Sequence, residues 1–165
     1  MEKYNDAYYF LKRQLVWVVL GTVIMLLARE MDYRGLEKYT YYIMGVTFLM
    51  LLAVMMPGLG KEVGGARRWL MLGGFTFQPS ELAKFALILF IAKSLVKRSD
   101  QLKNFAYGYL PKLIVLGFFF VPILFQPDFG TAMIICIVTF AMLMIAGLRS
   151  KFLIYSILSV VPFIA

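Results

Sequence analysis

The sequence contains no histidine and only one cysteine, Cys136. Without histidine there is no histidine base and no zinc motif, and haem and redox readings fall with it. Cys136 sits inside an apolar run, with no second thiol for a disulfide or a metal set. Charge is scarce too: 16% of the residues are charged, against about 25% in a soluble domain. What is present is apolar, since 62% of the 165 residues are hydrophobic and the mean hydropathy is +0.81. Charges cluster between long uncharged runs, so lipid must solvate most of the side-chain surface. The expected fold is all-α, a polytopic transmembrane helix bundle. A crossing takes about 20 mostly apolar residues. The length therefore suits five crossings plus part of a sixth, in a single transmembrane domain fragment over 1–165.

The formal charge of +8, from 17 Lys and Arg against 9 Asp and Glu, would suggest nucleic acid in a soluble protein. On the loops of a membrane protein it is the ordinary topology signal, so no nucleic-acid partner is expected. Uncharged runs and breakers place helices at about 8–28, 39–56, 79–96, 113–125, 129–148 and 152–165. Lys12 and Arg13 must snorkel to reach the interface. A Gly-rich loop joins the second and third helices, from Gly58 to Gln78. No signal-peptide pattern follows Met1, and the last apolar run stops without a flanking charge. Both ends read as part of a larger protein.

Basic residues suggest an orientation. An inward N-terminus would place Lys3, Lys12, Arg13, Lys61, Arg67 and Arg68 inside, six in all. The opposite choice places ten there: Arg29, Arg34, Lys38, Lys93, Lys97, Arg98, Lys103, Lys112, Arg149 and Lys151. The second is favoured, with the Arg67 loop and the Asp128 turn on the outer side.

The residues that break the apolar pattern carry the chemistry. Gln78-Pro79-Ser80-Glu81 and Gln126-Pro127-Asp128-Phe129 each read as a helix start, with proline at the first helical position. Glu81 and Asp128 would then lie in first turns, where the helix dipole favours a carboxylate. Two crossings separate the segments, so both starts face the same side. Capping alone accounts for either segment singly; both together, beside an arginine loop, point to a site. Lys84 lies about 7–8 Å inside its helix, a depth at which ionisable groups face a cavity or a partner rather than lipid. Glu81 shares its helix face. Lys93, near the other end, reads as snorkelling. Arg67 and Arg68 suit phosphate, because a guanidinium fork donates two parallel hydrogen bonds, although lipid headgroups would also satisfy them. With Lys84 and two helix N-termini they would form an anion-seeking surface. No nucleotide or metal site is readable: Gly58-Leu59-Gly60-Lys61-Glu62 lacks the phosphate-loop spacing.

Three ordered motifs carry a resemblance. Gly65-Ala66-Arg67-Arg68-Trp69, then Phe77-Gln78-Pro79-Ser80-Glu81 with Lys84, then Gln126-Pro127-Asp128-Phe129-Gly130-Thr131 resemble the SEDS family (FtsW, RodA and SpoVE). Tyr9-Phe10-Leu11-Lys12-Arg13-Gln14 resembles the start of that family's second helix. The resemblance implies a ten-helix enzyme of the bacterial cytoplasmic membrane, of which this chain would hold helices two to six and part of seven. It implies polymerisation of lipid II into peptidoglycan for division, shape or spore-wall synthesis, with a class B penicillin-binding protein as partner. Arg67, Arg68, Glu81, Lys84 and Asp128 would line the cavity near the substrate diphosphate. The family's catalytic aspartate lies in an outer loop after helix seven, beyond these residues. Asp128 belongs to another motif, so no catalytic residue is assigned here and the chain alone should be inactive. Lipid II flipping and a noncatalytic scaffold role in the division or elongation complex are the alternatives.

Overall fold

The computed structural model describes residues 8–63, 65–72, 75–97, 104–148 and 151–152. Five α-helices follow in chain order: α1 (Tyr9–Arg29), α2 (Tyr33–Met55), α3 (Pro79–Lys97), α4 (Leu110–Phe125) and α5 (Phe129–Ile145). A π-helical turn, Phe105–Tyr109, leads into α4. Of the helix expected over 152–165, only Lys151 and Phe152 lie among the described residues, and both are helical. The chain divides into two units, residues 1–35 and 36–165. Among the described residues the first holds α1, the turn after it and the first three residues of α2. Within α1 the run from Leu15 to Ala28 carries no charged side chain.

Capping, not charge, sets where α2 starts. The expectation was residue 39, the first position of an uncharged run. The helix instead starts at Tyr33, because the Asp32 side chain accepts from the Arg34 N–H at 2.9 Å. Arg34, Glu37 and Lys38 are therefore helical. At the other end of the chain, α5 closes at Ile145 rather than at residue 148. Gly147 takes φ +88, donating to the Met144 carbonyl while Leu148 donates to that of Leu143. Leu148 and Leu143 also pack together. This is a Schellman stop, and it needs a residue that tolerates a left-handed backbone.

In the second unit α2 to α5 share one apolar core. Leu51, Ala83, Leu87, Leu116, Phe119, Ile123, Ala132 and Ile135 form its main cluster. On α2 the buried positions Thr40, Thr47, Leu51 and Val54 repeat at helical spacing. The two threonines are tolerated there because each hydroxyl donates to its own helix: Thr40 to the Glu37 carbonyl at 2.9 Å, Thr47 to that of Ile43 at 2.6 Å. On α3 the small residues Ser80, Ala83 and Ala86 are buried, which lets neighbouring backbones approach closely. The outward faces stay apolar: Phe118, Phe125 and Ile137 are exposed. Tyr33–Met55 and Phe105–Phe125 are long and apolar enough to cross a membrane.

The expected Gly-rich loop is a three-stranded antiparallel sheet: β1 (Gly60–Val63), β2 (Ala66–Leu72) and β3 (Phe75–Phe77), in the order β1-β2-β3. It qualifies the all-α expectation locally. Gly60 joins α2 to β1 at close quarters, since a Cβ there would lie 2.0 Å from the Val54 carbonyl oxygen. The register is broken once. Lys61 pairs with Trp69 and Glu62 with Arg67, so Arg68 is the extra residue of a β-bulge.

Lys112 corrects another expectation. The helix expected at 113–125 leaves it outside, but α4 starts at Leu110, so Lys112 lies inside that helix and is 1% exposed. Its Nζ donates to the Gly108 carbonyl, in the π-helical turn, at 2.6 Å. A lysine stem is long enough to reach back one turn, which a count of loop charges does not register.

Candidate functional site

Asp128 is the centre of the polar cluster. The sequence pattern expects it in the first turn of a helix with Pro127 at the first position. Instead α5 begins at Phe129, Asp128 is its N-cap, and Pro127 lies in the turn before it. The reason is the side chain itself, which accepts from the Thr131 N–H at 3.3 Å, three residues on. The other carboxylate oxygen accepts from Gln78 Nε2 at 3.0 Å and from Ser80 Oγ at 3.2 Å. Pro79 does occupy the first position of α3, and Glu81 its first turn. One buried carboxylate thus joins the starts of α3 and α5. Ser80 is fully buried and Asp128 nearly so, which makes these three donors costly to leave unpaired.

Arg68 reaches the same turn from the sheet. Its Nε donates to the Gln126 carbonyl at 3.0 Å and its Nη2 to the Pro127 carbonyl. The bulge explains the aim: an unpaired residue on a strand leaves the regular alternation of faces. Gln126, also buried, donates from Nε2 to the Leu51 carbonyl of α2 at 2.9 Å. The α4–α5 turn is therefore tied to α2, α3 and β2 together.

Arg67 faces elsewhere. It pairs with Glu62 across the hairpin at 3.4 Å, with both side chains about half exposed. It lines a cavity of about 300 Å³ with Met55, Glu62, Phe125, Gln126 and Pro127. Lys84 pairs with Glu81 one turn away at 2.8 Å; the Lys84 side chain is 26% exposed and that of Glu81 55%. Lys84 also lines a cavity of about 70 Å³ between α3 and α5, with Leu87, Ile135 and Thr139. Of the residues that the sequence groups into one anion-seeking surface, Arg67 and Arg68 both meet the Gln126–Pro127 turn, the first along a cavity and the second by hydrogen bonds. Arg68 and Asp128 are held by their own neighbours, while Arg67 and Lys84 each hold an exposed carboxylate. Glu62 was not singled out from sequence. Its place five residues before Arg67, around a Val-Gly-Gly turn, is a hairpin signal that would have found it.

A bundle of helices with apolar outer faces and one polar joint between two helix starts defines an integral membrane protein. The profile of the FtsW/RodA/SpoVE family, described as cell cycle protein, matches residues 1–165, and the chain belongs to that family. It is 41% identical over 152 residues to a probable peptidoglycan glycosyltransferase FtsW of Geobacter sp. (strain M18), covering 92% of this chain and 41% of that one. It is 33% identical over 147 residues to stage V sporulation protein E of Bacillus subtilis (strain 168), covering 89% and 40%. Among solved structures, Thermus thermophilus rod shape determining protein RodA matches with a TM-score of 0.79 at 29% identity, over 96% of this chain and 51% of that one. A chain from a peptidoglycan synthase complex, in a study of coordinated polymerization and crosslinking, matches with 0.81 at 30% identity, over 93% and 44%. The chain spans about two fifths of the length of the curated relatives it matches.

Proposed function

We propose that this chain forms part of a peptidoglycan glycosyltransferase that polymerises lipid II at the outer face of the bacterial cytoplasmic membrane. The observation that carries the reading is the Lys84–Glu81 pair in the first two turns of α3, just after Gln78, whose side chain helps hold Asp128. It occurs in a chain whose relatives are called peptidoglycan glycosyltransferases. In the reaction a sugar hydroxyl attacks the anomeric carbon of a lipid-linked saccharide. The bond to the undecaprenyl diphosphate breaks, and its electron pair leaves with the diphosphate. A base takes the hydroxyl proton, and cations offset the charge that grows on the leaving group.

Two ion pairs support the assignment of the cationic roles. Lys84 exchanges the half-exposed Glu81 carboxylate for the diphosphate, which carries more negative charge than the carboxylate it displaces. Arg67 does the same from Glu62. Arg68 and Asp128 are positioning residues that hold the turn between α4 and α5. The base comes from the outer loop after helix seven, as the resemblance implies. The partner is a class B penicillin-binding protein, a reading supported by the peptidoglycan synthase complex among the structural neighbours.

The test uses the full-length protein, purified with its partner and given lipid II. Wild-type protein should yield glycan polymer, and Lys84→Ala should abolish it. Stability in that variant should change by no more than about 0.5 kcal/mol, the worth of a helix-surface pair. Movement of lipid II across vesicles without polymer would favour a transporter instead, and overturn the reading.

A further inference from the structure

The other end of α3 carries a second cluster of cations. A cavity of about 190 Å³ opens there, lined by Tyr41, Lys93, Ser94, Lys97, Tyr107 and Lys112. These residues come from α2, α3, the π-helical turn and α4. Lys93 is fourteen residues beyond Pro79, about 21 Å along the helix. With the Asp128 joint at one boundary of the membrane, the cavity lies near the other, since the hydrocarbon is about 30 Å thick.

Among the described residues that line it, three are lysines and none is a carboxylate. Lys93 donates to the Glu37 backbone carbonyl at 2.5 Å and sits 4.8 Å from the centre of the Tyr41 ring. Both partners are neutral dipoles or π-faces, so they orient the ammonium without cancelling it. Among the described residues neither Lys93 nor Lys97 is paired with a carboxylate. Lys112 is buried beside them, pointing back to the Gly108 carbonyl. Lys93 and Lys97 lie one turn apart on α3, where like charges repel, and an anion between them removes that cost. The Ser94 and tyrosine hydroxyls add neutral donors of the kind phosphate oxygens accept.

We infer that this cavity binds the phosphate of an anionic phospholipid headgroup. Phosphate from a lipid suits it better than phosphate from solution because its surroundings are apolar. Phe90 and Pro111 complete the wall, Tyr107 on it is exposed, and so is Val96, next to Lys97 in the chain. Lysines next to exposed aromatic rings match the layer where headgroups meet acyl chains. The site lies apart from the Asp128 joint and does not depend on the glycosyltransferase reading.

The experiment is lipid retention by the full-length protein, read by native mass spectrometry. The probes are phosphatidylglycerol and phosphatidylcholine with the same acyl chains. Phosphatidylglycerol should be retained in preference. Lys93→Gln and Lys97→Gln should each weaken its retention about fivefold, and together about thirtyfold, as expected for a lysine near an anionic surface. Lys93→Arg should keep retention, and Lys61→Gln on β1 should not change it. Lys97 is exposed, so its variant reports on binding even if Lys93→Gln fails to fold. Equal retention of the two lipids overturns the assignment. So does a loss with Lys61→Gln as large as that with Lys97→Gln. Displacement by inorganic phosphate at concentrations equal to the lipid would assign the cavity to soluble phosphate and overturn the lipid source.

Discussion

Arg67 and Arg68 are neighbours in sequence, yet their removal should have very different consequences. Arg68→Ala deletes two charge-assisted hydrogen bonds, to the carbonyls of Gln126 and Pro127. Such bonds are worth about 1.5–3 kcal/mol each where desolvated. The guanidinium is only partly buried, so solvent screening brings the pair to about 2 kcal/mol in total. Arg67→Ala deletes one ion pair whose partners are both about half exposed, at 3.4 Å. Exposed pairs of this kind contribute about 0–1 kcal/mol. The difference between the variants should therefore be about 1.5 kcal/mol, or roughly tenfold in the unfolding equilibrium. Arg68→Lys keeps the charge but reaches only one carbonyl, because an ammonium lacks the planar fork; it should fall between the two. The measurement is equilibrium unfolding of the full-length protein in mixed micelles, with both single variants and Arg68→Lys in parallel. Equal destabilisation by Arg67→Ala and Arg68→Ala would refute the claim that the bulge directs Arg68 to the turn.

The Asp128 joint can be tested by a double-mutant cycle. Ser80→Ala and Asp128→Ala should couple by about 1–2 kcal/mol, since both partners are buried and one is a carboxylate; additive losses would remove the link between α3 and α5. Gly60→Ala should destabilise by more than about 2 kcal/mol, because its new Cβ meets the Val54 backbone oxygen and the junction of α2 with β1 must shift. Gly45→Ala on α2 meets nothing within 4 Å and is the control, expected within about 1 kcal/mol of the parent in the same unfolding assay.

Much of this protein is local in its causes, and those parts are legible in the residues. Helical character follows from long runs of apolar residues, which leave the backbone no partner but itself once water is gone. The start of α3 at Pro79 follows from proline's fixed φ and missing N–H. Local chemistry also explains what was misjudged. Asp32 starts α2 six residues before its uncharged run, and Gly147 ends α5 three residues before the expected stop. A cap acts through one hydrogen bond or one dihedral, so hydropathy does not register it. The strands β1 to β3 hid within a glycine-rich stretch for a different reason, because hairpin pairing is a relation between segments.

Other features depend on neighbours distant in sequence, and only the folded chain decides them. Asp128 reads as a first-turn carboxylate until Gln78 and Ser80, some fifty positions earlier, are seen to donate to it. Arg67 and Arg68 are equivalent as letters; one bulge in β2 sends the first to Glu62 and the second to the α4–α5 turn. Lys112 counts as loop charge until the π-helical turn supplies a carbonyl within its reach. The sequence by itself determined that the chain is a membrane bundle, and which few residues could carry its chemistry. The tertiary structure decided which of those residues hold the turn between α4 and α5 and which pair with exposed carboxylates. The physical reason is that solvation and helix propensity act residue by residue, whereas a hydrogen bond or an ion pair exists only between two groups that the fold has brought together.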